Sequence, residues 1–268
     1  MILNSQKTVY AESIDLAAKI GKKFTPLENT TLNEKFSIYE NETLPNGYPV
    51  LNCMTIGIGN TTINDTGLLK LSEHQYYHGA LFEHIPFVIR ELSSDLTLEQ
   101  QASYRLRKVT NINGIDYVLY YAKIIENTIY KDGIYRIDNN TALDVSTLDY
   151  FDTNISTILN PVPRDVTDYT ELDNVSFLAK SLKIEFALHE NDMLELENVF
   201  NVLYGENKII SEIGLCTGYD VNIGTYIESI ATQINYFVDV SLDNQVLLAT
   251  GKPFVRAIEI GSMEPIIG

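Results

Sequence analysis

Tryptophan is absent from this 268-residue chain, cysteine occurs twice, and 19 basic residues face 36 acidic ones, a formal net charge of −17. Each shortage excludes something. So strong an acidic field repels a phosphate backbone, whose binding depends on Lys and Arg displacing counterions, and no nucleic-acid partner is expected. An anionic membrane surface is disfavoured for the same reason. Cys53 and Cys216 lie far apart and make no disulfide framework, which suits folding in a reducing cytoplasm. No run of about 18 apolar residues is present, so no membrane-spanning helix is expected. Residues Met1 to Gly21 lack the basic start and apolar block of a signal peptide. Carboxylates are abundant enough to pair by chance, but abundance does not make a glycosidase, and the missing Trp removes a favoured sugar-stacking side chain.

What is present is core material. The chain is 45% hydrophobic, with 17 Tyr and 10 Phe, enough for one large domain or two small ones. The first segment reads as an amphipathic helix, with Ser5 as its cap, Val9, Leu16, Ala17 and Ile20 near one face, and Gly21 at its end. The turn-rich Leu44-Pro45-Asn46-Gly47-Tyr48-Pro49 leads into a strand over Val50 to Ile56. Alternating residues from Tyr104 to Ile112 and from Ile115 to Tyr121 flank Asn113-Gly114, the signature of a two-residue hairpin turn. With a second turn at Asp132-Gly133 and the strand Ile85 to Ile89, this region predicts an antiparallel sheet. Tyr117, Tyr120, Tyr121, Tyr130 and Tyr135 give that sheet a tyrosine-rich surface, suited either to an interface or to half-buried cross-strand pairs.

From Asp138 to Asn174 the texture turns acidic and proline-containing, as a linker or surface excursion does, without the spacing of a calcium loop. Beyond it we expect a strand over Phe177 to Leu188 and a helix from Asn191 to Tyr204, capped by Asn191 or Asp192. A strand over Ile209 to Cys216, a second helix from Tyr226 to Phe237, and strands over Gln245 to Thr250 and Phe254 to Ile260 follow. The predicted class is α+β. A hairpin-rich antiparallel N-terminal region, residues 1–160 with the acidic linker, precedes a smaller α/β-like unit at 161–268.

Catalytic motifs are incomplete. His74-Gln75-Tyr76-Tyr77-His78 places two histidines four apart, the start of a helical zinc-peptidase site. Such an enzyme needs a Glu directly after the first histidine as general base; here Gln75 stands there and cannot take a proton. Gly79 and Pro86 argue against a long helix, so polar side chains in a loop or contact surface are the favoured account, and neither metal nor cofactor is expected. Gly57-Ile58-Gly59 lacks the third glycine of a dinucleotide fingerprint, since Thr62 occupies its place, and reads as a bend between strands. Cys216 has no basic neighbour in sequence, and no Gly-x-Ser-x-Gly elbow occurs. One basic cluster stands out: Arg90, Arg105, Arg107 and Lys108. Arg105 and Arg107, on one face of the hairpin, could pair with Asp95 and Glu99 within the chain or meet an acidic patch on a neighbouring copy.

Leu81 to Arg90 (LFEHIPFVIR), Tyr104 to Arg107 (YRLR) and Gly114 to Lys123 (GIDYVLYYAK) resemble virion structural proteins of tailed bacteriophages. Glu197 to Gly205 (ENVFNVLYG) and Ile210 to Gly218 (ISEIGLCTG) are similar to the same group, as are Leu44 to Pro49 and Gly57 to Gly59. The resemblance implies a non-enzymatic part of a particle, in the tail, baseplate or neck, made in the host cytoplasm and carried in the virion. Its partners would be other virion proteins and further copies of itself, as a homo-oligomer or ring. The interface residues expected are Arg90, Arg105, Arg107, Lys108, Tyr117, Tyr120 and Tyr121. Two rivals stand beside it: a metal-dependent hydrolase using His74 and His78, and a carbohydrate- or receptor-binding module.

Overall fold

The computed structural model describes residues 2–3, 5–63, 69–125, 127–131, 135–138, 141–144, 177–206, 208–238 and 254–265. Antiparallel strands dominate, and the chain is a β-rich α+β protein. It divides into two compact units, Met1–Asn127 with Glu185–Ile258, and Thr128–Ile184 with Glu259–Gly268. In the first, C-terminal strands pair with N-terminal ones.

The first unit is organised by an eight-stranded sheet. Along the chain its strands are β2 (Ser5–Lys7), β3 (Val50–Gly57), β6 (His84–Ile85), β7 (Val88–Glu91), β8 (Tyr104–Ile112), β9 (Ile115–Ile124), β14 (Glu212–Ile223) and β15 (Tyr226–Val238). The main path runs β2-β15-β14-β3-β9-β7, with β6 on β3 and β8 on β9. A short β1 (Ile2–Leu3) pairs in parallel with β16 (Phe254–Pro265). In chain order the remaining strands are β4 (Thr61–Ile63), β5 (Leu69–Leu71), β10 (Asn127–Lys131), β11 (Tyr135–Asp138), β12 (Thr141–Asp144) and β13 (Phe177–Leu188). In the second unit β11 and β12 form an antiparallel hairpin. The Asp132-Gly133 turn, the strand expected at 245–250 and nearly all of the acidic stretch lie outside the described residues.

The β8–β9 hairpin forms as its sequence dictates. Asn113 and Gly114 both take positive φ, +53° and +89°, and Ile112 pairs with Ile115 across them. The first helix is shorter than expected. It is α1 (Val9–Lys19), and Thr8 caps it by accepting from the Ala11 N–H, because Ser5 to Lys7 are drawn into the sheet as β2. Gly21, at φ +64°, follows its end. A five-residue helix, α2 (Leu32–Phe36), is closed by a Thr31–Glu34 capping box, and α3 (Leu98–Gln101) by one between Thr97 and Gln100. The long helix α4 (Glu190–Leu203) starts one residue early, with His189 at the cap position and Asp192 accepting the His189 N–H.

The expected helix at Tyr226 to Phe237 is a correction: these residues form β15, the antiparallel partner of β14. With that helix replaced, β14 and β15 lie inside the main sheet path, between β2 and β3. Two register shifts in the β14–β15 pairing break the strict alternation that would have announced a strand. One is held from outside. The buried Asn33 side chain of α2 donates to the Ser229 carbonyl at 2.9 Å and accepts the Thr232 N–H at 2.7 Å, replacing ladder bonds around Ala231, whose φ is +52°.

Cys53 and Cys216 are register partners on β3 and β14, both fully buried and free. A hydrogen bond to Cys216 and burial push the Cys53 thiol well above its usual range, and both side chains pack in the core.

Candidate functional site

The residues from Ser72 to Ile85 fold back over the end of β3 and are fixed there by one buried carboxylate. Glu212, at the first position of β14, is shut from solvent. It accepts the Gly59 N–H at 2.5 Å, the Phe82 N–H at 2.7 Å, the Glu83 N–H at 3.2 Å and His74 Nε2 at 2.8 Å. A glycine is needed at 57 and 59 for this approach. A Cβ on Gly57 would lie 2.5 Å from the Glu83 carbonyl and 2.8 Å from Glu212, and one on Gly59 would lie 2.6 Å from the Glu83 nitrogen. The Gly57-Ile58-Gly59 fragment is thus a bend that lets two backbone segments touch, not a phosphate cradle.

His74 is held on three sides. Its ring stacks on Phe237 at 3.9 Å and on Phe82 at 4.4 Å between centroids, while Nε2 faces Glu212. Its other nitrogen, Nδ1, lies 3.4 Å from Nδ1 of His78. His78 is more open, and its Nδ1 also accepts the Gln75 N–H at 3.2 Å. Residues 75–78 form a turn closed by the His78 N–H on the Gln75 carbonyl, so the two histidines meet across a turn and not along a helix. Burial and then the charge on His74 lower the His78 pKa. The third histidine of the cluster, His84, serves the fold: Nε2 accepts the Leu81 N–H at 3.0 Å, and Nδ1 is buried with no partner.

His84 carries a pH dependence. Burial, with lesser contributions from Lys35 and His74, pushes its pKa down to about 3. A folded value below the unfolded one, about 6.5, makes the folded state the poorer proton binder. The associated stability is complete above about pH 6.5 and is lost as pH falls toward 3, at about 1.4 kcal/mol per pH unit. Urea unfolding at pH 7 and pH 5 should show a loss that His84→Gln reduces by about 2 kcal/mol. Equal losses in both proteins would refute it.

The seven interface residues expected from the sequence divide. Arg105 and Tyr120 are buried. Arg105 is bidentate on Asp220, at 3.1 and 3.0 Å, and the Tyr120 hydroxyl donates to Asp95 at 2.7 Å. Neither has the exposure a contact surface requires. Arg107 takes the intrachain option, with Nη2 2.7 Å from Asp95. Arg90 pairs with Glu195 of α4. Tyr121 stacks on Phe36 at 4.2 Å, and half-buried Tyr117 packs beside Ile89, Leu119 and Val199. Lys108 is half-buried on β8. The arginines are thus tied to carboxylates of their own chain.

The exposed apolar surface lies elsewhere. On α1 and its C-terminal cap, Val9, Leu16 and the cap residue Ile20 are 44%, 51% and 63% exposed, beside a groove of about 430 Å³ that reaches Phe24. The neighbouring turn exposes Tyr76 and Tyr77 at 58% and 56%, and Phe82 is 46% exposed. Two hydrogen bonds join the segments: the Val9 N–H donates to the Tyr76 carbonyl at 2.8 Å, and the Tyr10 hydroxyl to the Tyr77 carbonyl at 2.7 Å. The helical periodicity of residues 9–20 was the available signal for the α1 part; nothing in the sequence linked it to residues 76–82.

A family model described as a family of unknown function (DUF7208) matches residues 3–268. No curated protein and no solved structure matches the chain.

Proposed function

The chain belongs to that family, and we propose that it is a non-catalytic structural subunit of a tailed-phage particle, in the tail, baseplate or neck, working through contacts with copies of itself and with other virion proteins. The observation that carries this reading is the exposed face of α1 and the 76–82 segment. Six large apolar side chains sit there with 44–63% of their surface open. Scattered apolar residues are ordinary on a protein surface, but large aromatic and aliphatic side chains exposed on two segments that are hydrogen-bonded to each other suit a subunit contact. The resemblance of LFEHIPFVIR and its companions to phage virion proteins supplies the kind of assembly. Arg90, Arg105 and Arg107 are held by Glu195, Asp220 and Asp95 of their own chain.

Mass spectrometry of purified particles from a phage encoding this chain should find it at a fixed copy number. Its absence from particles would end the proposal. Leu16→Asp and Tyr77→Asp, both at exposed positions, should leave the thermal midpoint unchanged and block incorporation, since a desolvated carboxylate opposes a close-packed contact.

A further inference from the structure

We propose that His74 and His78 form a binding site for one divalent first-row transition-metal ion per chain, with Zn²⁺ as the reference ion. This goes beyond the assembly reading and does not rest on it.

The carboxylate of Glu212 only accepts, so His74 Nε2 must carry the proton that lies between them at 2.8 Å. His78 Nδ1 accepts the Gln75 N–H, so its lone pair is on that nitrogen. Nδ1 of His74 lies 3.4 Å from that nitrogen, a separation that a proton on His74 Nδ1 or a bound cation would bridge. Two imidazole nitrogens bound tetrahedrally to one zinc at 2.0–2.1 Å stand about 3.3–3.4 Å apart. The pair already has the spacing of two such ligands.

The surroundings are those of a metal-binding histidine. A ligating imidazole usually donates its remote N–H to a carboxylate, which fixes the tautomer and the ring and raises ligand basicity. Glu212 does this for His74, and is itself immobilised by three backbone N–H groups. Phe82 and Phe237 clamp the ring from both faces. His78 can adjust, because only the 3.2 Å Gln75 contact competes for its Nδ1. Imidazole nitrogen suits Zn²⁺, Cu²⁺ and Ni²⁺ better than Mg²⁺ or Ca²⁺. Among the described residues no group of three His, Cys, Asp or Glu surrounds the site, so water completes the coordination. With Gln75 in place of a general base, the site is assigned to binding and not to hydrolysis.

Zn²⁺ titration of the full chain by calorimetry should show one ion per chain, with His78→Gln abolishing that event while the unfolding midpoint stays unchanged. Glu212→Gln should weaken binding about 10- to 100-fold. In ¹⁵N spectra of the imidazoles, Zn²⁺ should move the Nδ1 resonances of both residues. Three results would overturn the assignment: no one-per-chain event in the unaltered chain, an event that survives His78→Gln, or a shift at His78 Nε2 instead of Nδ1.

Discussion

Replacing Lys123 by Ala is expected to destabilise the first unit by about 3–5 kcal/mol, the cost of leaving one member of a buried ion pair uncompensated. Lys123 is the penultimate residue of β9, with Tyr104 and Met54 as register partners, and its Nζ lies 2.8 and 2.7 Å from the two oxygens of Asp192. Both side chains are over nine-tenths buried, at 6% and 8% exposure. Asp192 also accepts the His189 N–H at 2.8 Å, so one carboxylate fixes the start of α4 and ties that helix to the sheet. Nearby, Val199 of α4 packs on Ile89 and Leu119. Without the ammonium, Asp192 keeps one N–H donor and a charge it cannot solvate. Domains have only about 5–15 kcal/mol in total, so the loss should be visible as a large shift in the urea midpoint. Adding Asp192→Asn to the Lys123→Ala protein removes the orphaned charge while keeping an oxygen for the cap, and should recover part of the loss. A Lys123→Ala protein within about 1 kcal/mol of the parent would show that water reaches the pair and that α4 is held by packing alone.

Where a local rule decides structure, the sequence could be read. Asn113-Gly114 fixed a hairpin because a two-residue turn demands two positive φ angles, and the strand at Val50 and the helix ending before Gly205 followed from equally local punctuation. The Tyr226 to Phe237 segment could not be read this way. Ile227, Ile230, Ile234 and Phe237 recur at helical spacing, yet the spacing arises from register shifts in a strand whose residues 228–235 are all buried. A strand covered on both faces loses its two-residue alternation, and each shift moves the phase again. The candidate site was legible only in part. The histidines lie four residues apart in sequence, but Glu212 lies 138 residues beyond His74, and no local pattern predicts that a β14 carboxylate will anchor their loop. The arginine cluster was legible in part. The Arg107–Asp95 pair was one of the two options its sequence neighbourhood offered, whereas Glu195 and Asp220, the partners of Arg90 and Arg105, lie 105 and 115 residues further along the chain.

Replacing Glu228 by Ala should cost about 3 kcal/mol or more, because its carboxylate is the acceptor for three enclosed backbone donors, each costing about 1–3 kcal/mol when orphaned. Glu228, the third residue of β15, is 0% exposed. It accepts the Leu106 N–H at 2.7 Å, the Arg107 N–H at 3.0 Å and the Ser229 N–H at 2.8 Å. Successive N–H groups of a regular strand point in opposite directions, so Leu106 and Arg107 can converge on one carboxylate only if the backbone turns between them. It does: Leu106 has φ +55°. A left-handed leucine costs about 1–2 kcal/mol, and the carboxylate is what compensates it. Glu228 thereby serves β8 as the partner that a further strand would otherwise provide. Burial pushes its carboxyl above the usual range, against the pull of the three donors. A folded pKa above the unfolded one means that the stability this group contributes is complete below the ordinary carboxylate range and declines as pH rises through the raised value. Glu228→Gln keeps one oxygen for Leu106 and Ser229 but turns an amide nitrogen toward the Arg107 N–H. It should therefore fall between the parent and Glu228→Ala, and both variants should lose that pH dependence. Hydrogen exchange supplies the local readout: the Leu106 and Arg107 amides should lose protection in Glu228→Ala well beyond the global change. If those two amides stayed protected, the left-handed turn at Leu106 would have to be held by packing around its buried side chain and not by the carboxylate.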